Sequence, residues 1–154
     1  MPYQFWHSKL TDPPIHVPAI GLQLFVRIPH DTTDENISVI ETINEPGFGP
    51  PLHRHPQTEI FRVLDGRYLY ECDGKRFVAE TGDVVTIPGG AAHAFRNLSE
   101  GPARQLVMIL PSFDTVAFFN GLGDIMADGV PDREVLNAFS EKWQIEFLGP
   151  PLQL

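Results

Sequence analysis

Two clusters of residues in this 154-residue chain have the types and spacing of a metal site. The first cluster contains His53, His55 and Glu59, and the second contributes His93. Imidazole nitrogens and carboxylate oxygens are ligands that divalent first-row transition metals accept. Cys72 is the only cysteine, so an internal disulfide is impossible and thiolate ligation is not expected. The sequence therefore predicts a metal site built from nitrogen and oxygen ligands.

The first cluster needs a turn in the chain. On an extended strand His53 and His55 face the same side, with Cα atoms about 6 to 7 Å apart. Glu59 has the same parity, but on a straight strand it would lie about 13 Å beyond His55, too far to share an ion. Pro56 cannot donate a hydrogen bond to a sheet, so we predict that His55 ends one strand and Glu59 begins the next.

The second cluster supplies a ligand from a separate part of the sheet. Its pattern predicts a turn at residues 81–82, a strand at 83–87 and a reversal at 88–90 that needs glycine at positive φ. His93 then enters from another strand, and a ligand from a distant segment is what a preorganised site requires. Asn97 has the same parity, and we expect it to bond to backbone at the strand end.

The elements that position these clusters are predicted to be β-strands. Between residues 20 and 110 the apolar residues fall in short runs, rich in β-branched and aromatic types and bounded by turn signals, as in a closed antiparallel sheet or a sandwich. Asp73 and Gly74 predict a two-residue type I′ hairpin. The candidate strands are Leu22 to Ile28, Ile37 to Ile43, Glu59 to Leu64, Arg67 to Cys72, Arg76 to Ala79, Val84 to Ile87, His93 to Asn97 and Arg104 to Leu110.

The last forty residues have a different character. Residues 114–120, ending on Gly121, and residues 131–143 are predicted helices, and residues 145–148 a short strand before 149–151 end regular structure. The second helix should bury one face, formed by Val135, Leu136, Phe139 and Trp143. This tail is expected to pack against the sheet, and the alternative is that it covers a binding cavity.

Composition limits the possible partners. Eleven Lys and Arg against 20 Asp and Glu give a net charge of −9, which opposes binding to nucleic acid or to anionic lipid. The N-terminus has no basic leader and no apolar run could cross a bilayer, so we expect a soluble cytoplasmic protein. Ile60 and Leu64 are apolar on the face opposite Glu59, which favours a homodimer, although the tail could cover the same face.

The two clusters match the paired signature motifs of the cupin superfamily, and the chain resembles a single-domain cupin. The matching positions are Gly47, His53, His55, Glu59, Gly66, Gly82, Pro88, Gly90, His93 and Asn97. The resemblance implies an all-β fold, a small antiparallel β-barrel (double-stranded β-helix), as one domain over residues 1–154, with its core at about 20–111 and a helical tail at about 112–154. It also implies a metal ion inside the barrel at the positions of His53, His55, Glu59 and His93. Residues 131–150 are similar to the ends of cupins described as quercetinase-like.

The ligand set leaves several functions open. A six-coordinate ion would keep two positions free, which could take substrate and dioxygen with iron, manganese, nickel or copper, whereas zinc would allow only non-redox chemistry. Eleven phenylalanines favour an apolar cavity, so we expect a dioxygenase-type oxidoreductase for a small enol, diketone or phenolic compound. Glu59 is a candidate general base besides being a ligand. The alternatives are a metal-dependent small-ligand binding protein or sensor, and a non-redox isomerase or decarboxylase.

Overall fold

The computed structural model describes residues 3–154 and consists mainly of two antiparallel β-sheets. The first sheet has six strands in the order β1-β2-β3-β10-β5-β8, and the second has five in the order β11-β4-β9-β6-β7. The strands are β1 Ile15–Val17, β2 Leu22–Ile28, β3 Ser38–Asn44, β4 Pro51–Arg54, β5 Thr58–Asp65, β6 Arg67–Cys72, β7 Lys75–Glu80, β8 Val84–Ile87, β9 His93–Asn97, β10 Ala103–Leu110 and β11 Glu146–Pro151. The hydrophobic core draws buried side chains from both sheets, which confirms the predicted all-β barrel architecture.

The eight predicted strands are all present. Four have the predicted bounds, and the other four differ by one residue at one or both ends. Strands β6 and β7 form the predicted hairpin, in which Asp73 and Gly74 have φ of 48° and 82°. Both signs agree with a type I′ turn, whose twist matches that of the flanking strands. Alternating burial and turn-forming residues are local properties of the sequence, and here they were sufficient to predict the strands and the hairpin.

The last strand is longer than predicted. The sequence predicts an end at Leu148, but β11 continues through Gly149 and Pro150 to Pro151, so the predicted break is wrong. Strand β11 is an edge strand that pairs only with β4, with a register irregularity between Phe147 and Pro151. Proline is tolerated on an edge because its missing N–H would have faced solvent.

The first helix of the tail, α1, spans Thr115–Ile125 and also extends beyond its predicted end. Asp114 caps its start by accepting a hydrogen bond from the Ala117 amide at 3.0 Å. The predicted end at Gly121 is wrong, because the helix continues through two glycines. A Cβ at Gly121 would lie 2.7 Å from the Phe139 ring, so glycine is needed there for close packing rather than to end the helix.

The second helix, α2, spans Arg133–Ser140 and is followed by a 3-10 turn at Glu141–Trp143. Leu136 is buried and the rings of Phe139 and Trp143 pack against the core, as predicted. Val135 is 48% exposed, so its predicted burial is wrong. A helix of two turns buries a narrow stripe, and here that stripe is centred on Leu136 and Ser140, which leaves Val135 at its margin. In the described part of the chain, no helix is long and apolar enough to cross a bilayer.

Candidate metal centre

Three neighbouring segments bring the four predicted ligands together. His53 lies on β4 directly opposite His93 on β9, and Glu59 lies on β5. Strand β4 ends at Arg54, so His55 follows the strand instead of ending it, one residue from the predicted bound. Arg54 faces away from the cluster, as expected from its parity, and its Nη2 lies 3.0 Å from the Glu146 carboxylate on β11.

The turn after His55 is locked against the turn before His93. The Gly90 amide donates to the His55 carbonyl at 2.8 Å, and the Gly89 amide donates to the Thr58 hydroxyl at 3.1 Å. Gly90 has a φ of 85°, which favours glycine, and a Cβ on Gly89 would clash with the Pro56 carbonyl. These contacts hold the two loops of the paired motifs at a fixed separation.

The geometry of the cluster is compatible with a divalent metal ion. One nitrogen or oxygen atom from each of the four residues lies within 4.8 Å of the others. Glu59 Oε1 is 2.8 Å from both His55 Nε2 and His93 Nε2. Adjacent ligand atoms at about 2.1 Å from a common ion, at right angles, would be about 3 Å apart. The observed spacing therefore needs little adjustment to accommodate an ion.

Backbone carbonyls fix the orientation of all three imidazoles. Each Nδ1 lies within hydrogen-bond distance of the carbonyl of a residue two positions away: His53 to Pro51 at 2.7 Å, His55 to Gln57 at 3.1 Å and His93 to Ala91 at 2.9 Å. A carbonyl can only accept, so Nδ1 carries the proton and donates. When a ring is neutral, its lone pair is therefore on Nε2, the atom that faces the cluster. In His55 and His93 the hydrogen bond to the Glu59 carboxylate needs a proton on Nε2, which a bound ion would displace.

The electrostatics favour the ligating protonation states of Glu59 and His53, whereas Glu59 favours the protonated form of His93. Burial raises the pKa of Glu59, but hydrogen bonds with His55 and His93 outweigh it and hold the pKa below its usual range. Burial, with repulsion from His93 and His55, lowers the pKa of His53 to about 3. Burial also lowers the pKa of His93, but the hydrogen bond and charge of Glu59 more than offset this and raise it. At neutral pH Glu59 is therefore anionic and His53 neutral.

A largely apolar cavity of about 100 Å³ adjoins the cluster. Outside the four cluster residues, Thr42 and Asn44 on β3 are its polar lining, and none of the described residues that line it is Lys or Arg. Its aromatic walls are Phe61, Phe95, Phe113, Phe118, Phe119 and Phe147. Such a cavity suits an apolar or aromatic molecule that presents oxygen atoms to the cluster.

The tail both packs on the sheets and lines this cavity. Phe118, Phe119 and Leu122 of α1 contribute to the lining, and the Phe147 ring of β11 lies 6.1 Å from the His53 ring. Helix α1 therefore covers the cavity, the arrangement named above as the alternative to packing alone.

Other residues singled out by the sequence lie outside the cluster. Asn97 donates to the backbone carbonyls of Asn44 and Gly101, both at 2.9 Å, which confirms its predicted role. Burial raises the pKa of the Cys72 thiol, which opposes a reactive thiolate. Among residues 3–154, no further histidine joins the cluster; His7 and His16 are exposed, and His30 lies near Glu35 and Asp114.

Sequence reasoning missed Thr42 and Asn44 as cavity residues. They lie two apart on β3, on the same face as Ile40, and both are buried. The available signal was that Thr42 and Asn44 have the same alternation as Ile40, although Asn44 lies one residue beyond the predicted strand end at Ile43.

Comparison with known proteins agrees with these features. A family model described as a cupin domain matches residues 40–109. An uncharacterized protein of Methanocaldococcus jannaschii is 31% identical over 77 residues, which cover 49% of this chain and 62% of that protein. Quercetin 2,3-dioxygenase of Bacillus subtilis is 43% identical over 47 residues, 30% of this chain and 14% of that protein. The aligned segments thus span less than two thirds of either relative.

Solved structures with similar folds include proteins described as cupins. A crystal structure described as an RmlC-like cupin from Shewanella frigidimarina superposes with a TM-score of 0.61 and 16% identity, covering 73% of this chain and 96% of that one. A predicted oxalate decarboxylase from Thermotoga maritima gives a TM-score of 0.56 and 21% identity, covering 58% and 80%. Identities this low show the fold alone. The cupin family model matches residues 40–109, the segment that carries the paired motifs, so this segment of the chain is a cupin domain.

Proposed function

We propose that the protein is a metal-dependent oxidoreductase of the dioxygenase type that acts on a small enol, diketone or phenolic compound. The observation that carries this proposal is a mixed nitrogen and oxygen cluster opening onto an apolar, aromatic cavity. His53, His55, Glu59 and His93 would hold the ion. Iron, manganese, nickel or copper bound there would supply redox chemistry and polarise a substrate oxygen.

The charge of the cavity supports this substrate class. Since none of its described lining residues is Lys or Arg, a compound with two carboxylates would have no protein cation to neutralise it. An enol or phenol loses a single proton on binding and buries the rest of its surface against aromatic walls. The apolar walls, including helix α1, would also exclude water from the bound molecule.

Glu59 is the candidate general base. Its carboxylate is buried and ionised, and the bonds that Oε1 makes with His55 and His93 hold it at the cluster. As a substrate hydroxyl enters, the carboxylate could accept its proton over hydrogen-bond distance. The three imidazoles, fixed by backbone carbonyls, would keep the geometry constant during this transfer.

The Bacillus relative adds weaker support. Its name describes a dioxygenase of quercetin, a polyphenol, and its aligned segment covers 14% of its length. This match favours a phenolic or enolic substrate without selecting one.

Oxygen uptake tests the proposal. Protein loaded separately with iron, manganese, nickel and copper is supplied with a panel of enols, 1,3-diketones and phenols. We expect uptake with at least one pair of metal and substrate, and its loss in Glu59→Gln. Glu100→Gln, which changes an exposed carboxylate, is the control and should keep the activity. Flat traces across the whole panel would count against the proposal.

Two other functions are separated by related experiments. Helix α1 over the cavity favours a sensor that responds to ligand occupancy, and such a protein would bind tightly and return its ligand unchanged. Zinc, which has no redox step, would fit the same donors and allow isomerisation or decarboxylation. Turnover that persists under strict anaerobiosis would identify this non-redox class.

We also infer a homodimer. Strands β5, β8 and β10 present apolar side chains on their outer face, where Val84 is 62% exposed and Leu64 and Met108 are partly exposed. Light scattering should report a dimer, and Val84→Glu should shift the protein toward monomer. An unaltered mass for Val84→Glu, or a monomeric wild type, would contradict this interface.

A further inference from the structure

The cavity has a second polar region, separate from the His and Glu cluster. Thr42 and Asn44 both line the cavity, and Asn44 is 1% exposed. The rest of the described lining outside the cluster is apolar. A buried amide facing an apolar cavity needs a partner, since an unpaired buried polar group is destabilising.

Two hydroxyl groups fix the orientation of the Asn44 amide. Asn44 Oδ1 accepts hydrogen bonds from Thr42 Oγ1 at 2.9 Å and from Tyr68 OH at 2.7 Å. Because both hydroxyl groups donate to Oδ1, the side of the amide that carries Nδ2 faces away from them. Both hydrogen bonds of the Asn44 side chain are made by Oδ1, and neither uses Nδ2. Asn44 thus carries a free donor in a side chain that lines the cavity.

The neighbouring strand repeats this feature. Gln105 on β10 lies directly opposite Thr42 and is fully buried. Its Oε1 accepts a hydrogen bond from Tyr70 OH, and its Nε2 has no partner in the described part of the chain. Two adjacent strands, β3 and β10, therefore carry buried amide side chains in this region of the barrel, and the Gln105 donor is unpaired.

This layer lies well away from the metal ligands. Gln105 on β10 pairs with Thr42 on β3 at one side and with Val63 on β5 at the other. The metal ligand on β5, Glu59, is four residues before Val63. Four residues of strand correspond to about 13 Å. A ligand that contacts both regions must be elongated, with polar atoms at both ends and an apolar body between them.

We propose that Asn44, oriented by Thr42 and Tyr68, is a binding residue that donates a hydrogen bond to an acceptor oxygen at the distal end of the ligand. The substrate is then an aryl enol, diketone or phenol that carries a second oxygen, such as a carbonyl, remote from the group held at the cluster. This assignment rests on the proposed function, because that function places the other end of the ligand at His53, His55, Glu59 and His93.

The test compares two probes on zinc-loaded protein, in which no redox turnover occurs. Both probes are benzoylacetone derivatives, one with a para-acetyl group and one with a para-isopropyl group of the same shape but no acceptor. By titration calorimetry we expect wild type to bind the acetyl probe about tenfold more tightly, as one buried hydrogen bond supports. Asn44→Leu should abolish this preference, and Asn44→Asp should reverse it, since Asp keeps the acceptor for Thr42 and Tyr68 but loses the donor.

The outcomes separate this inference from the function beneath it. Equal affinity of wild type for both probes overturns the role of Asn44 and leaves the metal site standing, and this comparison needs no variant to fold. If Asn44→Leu or Asn44→Asp folds, binds zinc and still prefers the acetyl probe, the role of Asn44 is overturned as well. If neither probe binds zinc-loaded wild type, the proposed function fails together with the inference. Asn120→Leu, at an exposed asparagine of α1, should retain the wild-type preference.

Discussion

Thermal stability should depend on divalent metal, and Glu59→Gln should remove most of that dependence. Glutamine has nearly the same shape as glutamate but lacks the anionic oxygen that lies 2.8 Å from two imidazole nitrogens. The ligands come from β5, β9 and the end of β4, so the site exists only in the folded chain. Metal binding then adds directly to the free energy of unfolding.

The size of the effect follows from linkage. Free metal at one hundred times its Kd stabilises the folded state by about 2.7 kcal/mol. For 154 residues at about 2.1 cal/mol/K each, the entropy of unfolding is about 0.32 kcal/mol/K, so the Tm should rise by about 8 °C. Loss of a direct ligand should weaken binding at least as much as the roughly 100-fold that an outer-shell change can cause. At the same metal concentration the variant then gains about 0.4 kcal/mol, or about 1 °C.

Scanning calorimetry measures this shift. Metal-stripped wild type, Glu59→Gln and the exposed control Glu100→Gln are heated with and without manganese, iron, nickel, copper or zinc. We expect the full shift in wild type and Glu100→Gln for at least one metal. The reasoning is refuted if no metal raises the Tm of stripped wild type, or if Glu59→Gln retains the whole shift.

Three further predictions concern the cover of the cavity, the loop and the acid response. Phe118→Ala should lower the free energy of unfolding by about 3–5 kcal/mol, because the buried ring packs in the aromatic core. Val116→Ala, at an exposed position of α1, should lower it by less than about 1 kcal/mol. Urea titration measures both, and equal losses would contradict the packing described. Gly89→Ala should lower the free energy of unfolding by about 1–3 kcal/mol and weaken metal binding, because a Cβ there clashes with the facing loop. Gly101→Ala is the control, since a Cβ at Gly101 meets open space. Equal urea midpoints and equal metal affinities of the two variants would show that the loops are not locked. In metal-free protein the pKa of His53 is lowered from 6.5 to about 3. As pH falls through that range the unfolded chain is protonated before the folded protein, so stability is lost. His53→Gln should flatten this part of the profile of Tm against pH, and an unchanged slope would exclude His53 as its source.

Much of the barrel follows from local rules that the sequence carries openly. The strands 22–28, 67–72, 84–87 and 93–97 have their predicted bounds because alternating burial and turn residues act over a few positions. Pro56 and the glycines at 89–90 likewise predict the two reversals that carry the ligands. The parity of His53 and His55, and the need for a turn before Glu59, required no tertiary information.

Contacts between distant residues decided the features that sequence reasoning missed. Helix α1 passes through Gly121 because the Phe139 ring packs there, and β11 passes through Pro150 because its free edge tolerates proline. The inward placement of Asn44 next to Tyr68 depends on how the two sheets face each other.

The sequence by itself determined the fold class and the four candidate ligands, because residue type and spacing encode both. Only the tertiary structure decided that Pro51, Gln57 and Ala91 carbonyls turn each Nε2 toward the cluster, and that α1 closes an aromatic cavity over it. Orientation and enclosure are set by packing between segments far apart in the chain, and the hydrophobic pattern of one segment does not specify which distant surface it will meet.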